Sequence, residues 1–537
     1  MNFHAGGLAA KIVIACTLVL IAVCGSCGGG SSTPPPPPPP VADFTLSMSP
    51  GHLSVTSGNS SPTISISVAG VNGFAGTVSV TLSGLPAGAA TQPTGPITIA
   101  EGATQSFVID IPSSAPAGIS SLQATATSGS LSHSAQIAVA VNPFVTPTIT
   151  TFDDGTSFVL QSQTATETVR VGLLQAWGAA ITEVSLNGVD YVNNDDPGRQ
   201  IQTSLWDENV NYTAYWGYNP IESGDHFFQG SPVLASALLP DGSIYTKTQP
   251  IQWAPENFGG GSGNPVLGDA YIEKWVSVVP GFNRVFKVHY KITHFGNDTH
   301  ANKSQELPVM YVNPNVPNFF HYGGTQPWTN GVLSRHVMST TCCDRLGTPE
   351  QWGAYVDNNK IGIALYTPQQ FPDSLGFNAY STLQFTPLCP YTWNPRSVLD
   401  FDTFILVGPV DESRAAIYAL HDQQTTPSTL PPMGWYDSTN NGSVVSGTVT
   451  IAGWSWALPG MKSVDVYVDG SRFASANFGL SRPDVAIYFP GAPSNTGFQY
   501  ALDTTAFPNG SHAILVKATD NNGNVATYAT QQVTVNN

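Results

Sequence analysis

Apolar and polar positions alternate one by one through the first third of the chain. Thr63-Ile64-Ser65-Ile66-Ser67-Val68, Thr77-Val78-Ser79-Val80-Thr81-Leu82 and Gln136-Ile137-Ala138-Val139-Ala140-Val141 all keep a period of two. Successive side chains of a strand point to opposite faces, so this pattern predicts strands with one buried face. Gly, Pro and Asn interrupt the runs at short intervals, as turns do. Together they predict a β-sandwich over 43–145. The same period returns near the C-terminus in Val464-Asp465-Val466-Tyr467-Val468, followed by the hairpin dipeptide Asp469-Gly470. Ala513–Ala518 and Gln531–Val535 read as the last strands of a second sandwich over 430–537.

Residues 150–425 also read as strands, with alternation in Tyr271–Val278 and Arg284–Ile292. The stretch is too long for one small sandwich and predicts a large two-sheet one. A single short helix is expected over Asp411–His421. Phrases in the first segment, Asp43-Phe44-Thr45-Leu46 and Gly73-Phe74-Ala75-Gly76-Thr77-Val78, resemble immunoglobulin-like modules of bacterial surface proteins. Val445–Trp454, Arg482-Pro483-Asp484-Val485 and Asn509-Gly510-Ser511-His512 resemble the same modules in the last segment. The expected fold class is therefore all-β: two immunoglobulin-like sandwiches flanking a large two-sheet supersandwich.

Charge narrows the partners. The formal net charge is −17, and no Lys or Arg lies between Lys11 and Arg170. That stretch has nothing to neutralise phosphates, which argues against nucleic acid as a partner. A polybasic membrane patch is absent for the same reason. Membrane attachment is expected at the N-terminus instead. Lys11 and the apolar run Ile12–Val23 form a signal peptide, too short for a spanning helix. Cys24-Gly25-Ser26-Cys27 resembles the lipobox of bacterial lipoproteins. Cys27 fits through Ser26 before it and the tether after it, and Cys24 fits through Ile21 and Ala22. The reading adopted is a signal peptide over 1–27 with lipid on Cys27; an ordinary cleaved signal peptide is the other. The expected location is the cell envelope, lipid-anchored at the outer membrane or cell surface, with secretion as the alternative. Residues 28–42 are a linker whose Pro34–Pro40 run forms a stiff polyproline rod.

Eight of the eleven tryptophans lie within 150–425, and 43–142 has no Trp, Tyr, Lys or Arg, so ligand chemistry is sought in the middle. Trp177-Gly178-Ala179-Ala180-Ile181-Thr182-Glu183-Val184, then Asn187–Asn193 and Asn194–Ser204, resemble the opening of galactose-mutarotase-like sandwiches. The resemblance implies a domain that binds or processes sugars. The catalytic Asn-His phrase of true mutarotases is missing, so their activity is not implied.

Sugars are held by aromatic faces and planar polar groups. Two loops have that composition: Trp206–Tyr218, with Trp206, Tyr215 and Trp216, and Phe319–Trp328, with His321 and Trp328. Glycoside cleavage usually takes two carboxyls. Glu306, entering an apolar strand, is the first candidate, followed by Asp207 and Asp195, with Glu350 beside Trp352 as another. Arg199 and Gln202 are candidates for sugar polar groups; for Arg199 a salt bridge to Asp195 or Asp196 is the equal alternative. His321 is the candidate acid/base or ligand histidine. Trp206, Tyr215, Trp216, Trp328 and Glu306 are expected to converge on one concave face. The expected partner is a glycan or polysaccharide; a non-catalytic adhesion or scaffold protein is the rival reading.

No histidines show zinc-protease spacing, and no nucleophile elbow or P-loop is present. Neither a cofactor nor a metal is expected. Asp520-Asn521-Asn522-Gly523-Asn524 lacks the EF-hand spacing and closing Glu, and reads as a solvated turn. In an oxidising compartment Cys389 is expected to pair with Cys342 or Cys343, with a Cys342–Cys343 bridge as the alternative.

Overall fold

The computed structural model describes residues 40–537 except 96, 208–216, 342, 369–372, 380–381, 425–430, 458, 490–491 and 529. The signal peptide, Cys24, Cys27, Tyr215, Trp216 and Cys342 lie outside the described residues. Among those described, no helix is long and apolar enough to cross a membrane.

The fold is all-β, in three sandwiches. The N-terminal one packs a four-stranded sheet against a five-stranded sheet. Ile64, Ile66 and Val68 point inward and are buried, while Ser65 and Ser67 face outward and bond Ser106 and Thr104. The C-terminal sandwich packs a four-stranded against a six-stranded sheet. Val464, Val466 and Val468 point into its core opposite Ala518, Val516 and Ile514. Asp469 and Gly470, with φ of 50° and 79°, turn the chain there, because only a turn with both central residues in the left-handed region matches the twist of the flanking strands.

Between them stands the supersandwich, a twelve-stranded sheet facing a nine-stranded one. The nine-stranded sheet includes Ala270–Val278, Val285–His294, Val398–Pro409 and Asn318–His321. The twelve-stranded sheet includes Ile201–Ser204, His300–Val312, Thr382–Trp393 and Asp373–Ala379. One continuous core lies between the sheets, with Val288, Tyr290 and Ile292 on one side and Ile201, Met310 and Phe385 on the other. Lys274 also points inward, where Glu222 pairs with it in full burial. The loop Phe295–Thr299 carries the chain from one sheet to the other.

The expected helix spans Val410–Gln423. Its small face, with Ala415 and Tyr418, packs on Ala138 and Ala140 of the N-terminal sandwich. The strand Leu131–Asn142 is therefore buried on both faces: Ile137, Val139 and Val141 toward its own core, the alanines toward the helix. Alternation alone suggests one buried face; alanine on the second face is small enough to admit a helix.

Candidate functional site

Glu306 sits mid-strand in His300–Val312, beside Ser204 on one neighbour and Leu388 on the other. Leu307 points into the core, so Glu306 points to the outer face of the twelve-stranded sheet. The register shifts between Glu306 and Met310, a β-bulge of the kind that re-aims side chains. Among the described residues the Glu306 carboxyl has no hydrogen-bond or ion-pair partner, and burial pushes its pKa up to about 7. Tyr311 lies near on the same strand; burial, then the charges of Glu306 and Asp196, push its phenol well above the ordinary value.

Arg199 spans Asp195 and Asp196, at 3.6 and 3.3 Å, so the salt-bridge alternative is the one found. Gln202 is buried, donating to the Pro197 carbonyl at 3.3 Å and accepting from the Ser223 N–H at 3.0 Å. Its amide groups are satisfied within the protein.

The remaining candidates are distributed elsewhere. Trp206 is held by its backbone: its N–H donates to Gln305 Oε1 at 2.7 Å and its carbonyl accepts from Gln305 Nε2 at 3.0 Å. His321 belongs to a strand of the other sheet, with Nδ1 bonded to the Gly347 carbonyl at 2.9 Å; burial lowers its pKa. Trp328 stacks on His421 at 3.8 Å and packs against Tyr418 and the buried alanines between helix and N-terminal sandwich. Glu350 is buried and bonds Arg414, Trp352 and Tyr418. Trp328 and His321 thus belong with the nine-stranded sheet and Glu306 with the twelve-stranded one. A stretch rich in aromatics and Gly looks alike in sequence whether it faces solvent or a neighbouring sandwich.

Asp207 leads to an arrangement that sequence reasoning missed. Buried, it accepts from the Ala301 N–H at 3.2 Å and bonds His300 Nδ1 at 3.0 Å. His300 Nε2 faces Asp269 Oδ2 at 3.0 Å, and His294 Nε2 faces the same oxygen at 3.0 Å. His294 Nδ1 bonds the Asn394 carbonyl at 2.8 Å. Tyr218 lies flat on the His300 ring at 3.8 Å and donates to Asp269 Oδ1 at 2.7 Å. Asp298 completes the group, 3.6 Å from His294 Nε2. Burial alone would raise Asp269, but hydrogen bonds from His300 and Tyr218 outweigh it and hold the carboxyl well below the usual range. Burial would lower His300, but Asp269 and Asp207 outweigh it and raise its pKa. The sequence signal is His294-x3-Asp298-x-His300; Asp207 and Asp269 come from distant positions that only the sheet pairing brings close.

Cys389 is a free, buried thiol, which overturns its expected pairing with Cys342 or Cys343. It points into the supersandwich core, where burial pushes the thiol far up. Cys343 is disulfide-bonded.

The fold and these groups define a modular all-β protein whose large sandwich carries two polar clusters. No family model and no curated protein matches the chain. Among solved structures it is similar to a polysaccharide lyase, at 10% identity and a TM-score of 0.27, covering 70% of this chain and 47% of the lyase. It is similar to the α-galactosidase from Lactobacillus brevis at 11% identity and a TM-score of 0.29, covering 48% of this chain and 40% of that enzyme. It is also similar to a three-Ig fragment of titin, at 7% identity and a TM-score of 0.16, covering 93% of this chain and 98% of the fragment. The chain thus spans less than half the length of the two enzymes, and likenesses of this size carry no activity to it.

Proposed function

We propose that the protein is a cell-surface carbohydrate-binding or carbohydrate-processing protein, lipid-anchored through Cys27, whose middle sandwich takes an extracellular glycan. The immunoglobulin-like modules space and present it. The observation that carries this reading is Glu306: a desolvated carboxyl on the outer sheet face, without a partner among the described residues and near Tyr311. A carboxyl with pKa near 7 is poised to give a proton to a leaving group at neutral pH. Trp206, Tyr215 and Trp216 are proposed as the stacking aromatics.

The test is a glycan-array screen of the full chain, followed by a reducing-sugar assay on each hit. Glu306→Gln keeps shape and loses the proton. A glycosidase using Glu306 loses turnover by orders of magnitude while binding persists. Absence of any glycan hit overturns the proposal. The second reading, a non-catalytic adhesion scaffold, is favoured by Trp328 and Glu350, both engaged where the helix meets the N-terminal sandwich. Binding without turnover in both proteins supports it.

A further inference from the structure

We propose that Asp269, His294, Asp298 and His300 bind one divalent first-row transition cation, with zinc as the reference ion, and that this ion pins the two sheets of the supersandwich together.

The partner of each Nδ1 fixes the ring tautomer. A carbonyl oxygen can only accept, so His294 Nδ1, bonded to the Asn394 carbonyl, carries the hydrogen. The Asp207 carboxylate likewise makes His300 Nδ1 the donor. Once a cation displaces the proton that His300 shares with Asp269, both Nε2 lone pairs face Asp269 Oδ2, and Asp298 lies within 4.0 Å of each ring. Two lone pairs and two carboxylates around one point call for a cation. Carboxylate and carbonyl partners on the far nitrogen are what metal-bound imidazoles usually have.

Distances agree. The four ligand atoms lie within 4.8 Å of one another. Asp269 Oδ2 lies 3.0 Å from each Nε2, and Asp298 lies 3.6 Å from His294 and 4.0 Å from His300. Ligands about 2.0–2.2 Å from a shared ion stand that far apart. Tyr218 occupies Asp269 Oδ1 and leaves Oδ2 to the ion. Imidazole nitrogens select zinc and its neighbours over calcium or magnesium.

Position gives the role. Asp269 directly precedes Ala270–Val278, and Ala270 pairs with His294, both in the nine-stranded sheet. His300 opens a strand of the twelve-stranded sheet, paired with Trp393. One ion would therefore join the ends of both sheets at the crossover loop.

The experiment uses the full purified chain, stripped with chelator and titrated with zinc. Uptake is followed by metal analysis, and cobalt(II) replaces zinc for absorption spectroscopy. One-to-one uptake, a zinc-dependent rise in Tm and d–d bands of low-symmetry cobalt are expected. His300→Ala should abolish all three. Asp298→Asn alters an exposed side chain, so it should fold and bind more weakly. Asp207→Ala, which removes the carboxylate behind His300 Nδ1 without touching a ligand, should weaken binding about 10–100-fold. Zinc uptake unchanged in both Asp298→Asn and His300→Ala, or no uptake and no Tm shift in the parent, overturns the proposal and leaves a protonated His300 between Asp207 and Asp269.

Discussion

Arg414 grips Glu350 with two hydrogen bonds, Nη2 to Oε1 at 2.9 Å and Nε to Oε2 at 3.2 Å, in near-complete burial. Glu350 also accepts from Trp352 Nε1, Tyr418 Oη and the Trp328 N–H. One carboxylate thus fixes the helix to the nine-stranded sheet and orders the face that meets the N-terminal sandwich. Glu350→Ala leaves the guanidinium buried and unpaired, so stability should fall by about 3–5 kcal/mol. Urea denaturation of the two proteins measures it; a loss below about 1 kcal/mol would show the network to be incidental.

Glu306 makes stability depend on pH. Its folded pKa, about 7, lies above the ordinary 4.5, so the folded state holds the proton more tightly. Its contribution is complete below pH 4.5 and is lost as pH rises toward 7. Between pH 5 and 8, the parent should lose Tm relative to Glu306→Gln. Parallel Tm profiles for the two proteins would refute a desolvated carboxyl.

Cys389 should be silent to thiol reagents until the supersandwich opens, since the thiol is free but buried. Ellman titration across a urea gradient should rise with the unfolding transition. Cys389→Ser, which buries a hydroxyl among apolar groups, should cost about 1–3 kcal/mol. Rapid labelling of Cys389 in the folded protein would contradict the packing.

The anchor is tested in cells. With lipid on Cys27, the mature protein should partition into detergent, and replacing Cys24 and Cys27 together by Ala should release it. A double variant that stays in the membrane fraction counts against lipidation.

Local pattern determined much of this molecule. The period of two placed Ile64–Val68 and Val464–Val468 on strands, and Asp469-Gly470 on a hairpin, because strand geometry and turn dihedrals act within a few residues. The helix near 411–421 was legible for the same reason. Length and alternation likewise pointed to a large sandwich in the middle. What each outward face meets was decided only by tertiary structure. Ala138 and Ala140 read as solvent-facing until a helix hundreds of residues away covers them. Trp328 and Glu350 read as ligand groups until that contact claims them. Cys389 was expected at a bridge, but its strand's register turns it into the core. The His294–His300 cluster depends on Asp207 and Asp269, which strand pairing brings together from separate loops. Contacts between residues far apart in the chain are set by sheet order and register, and no short-range pattern records them.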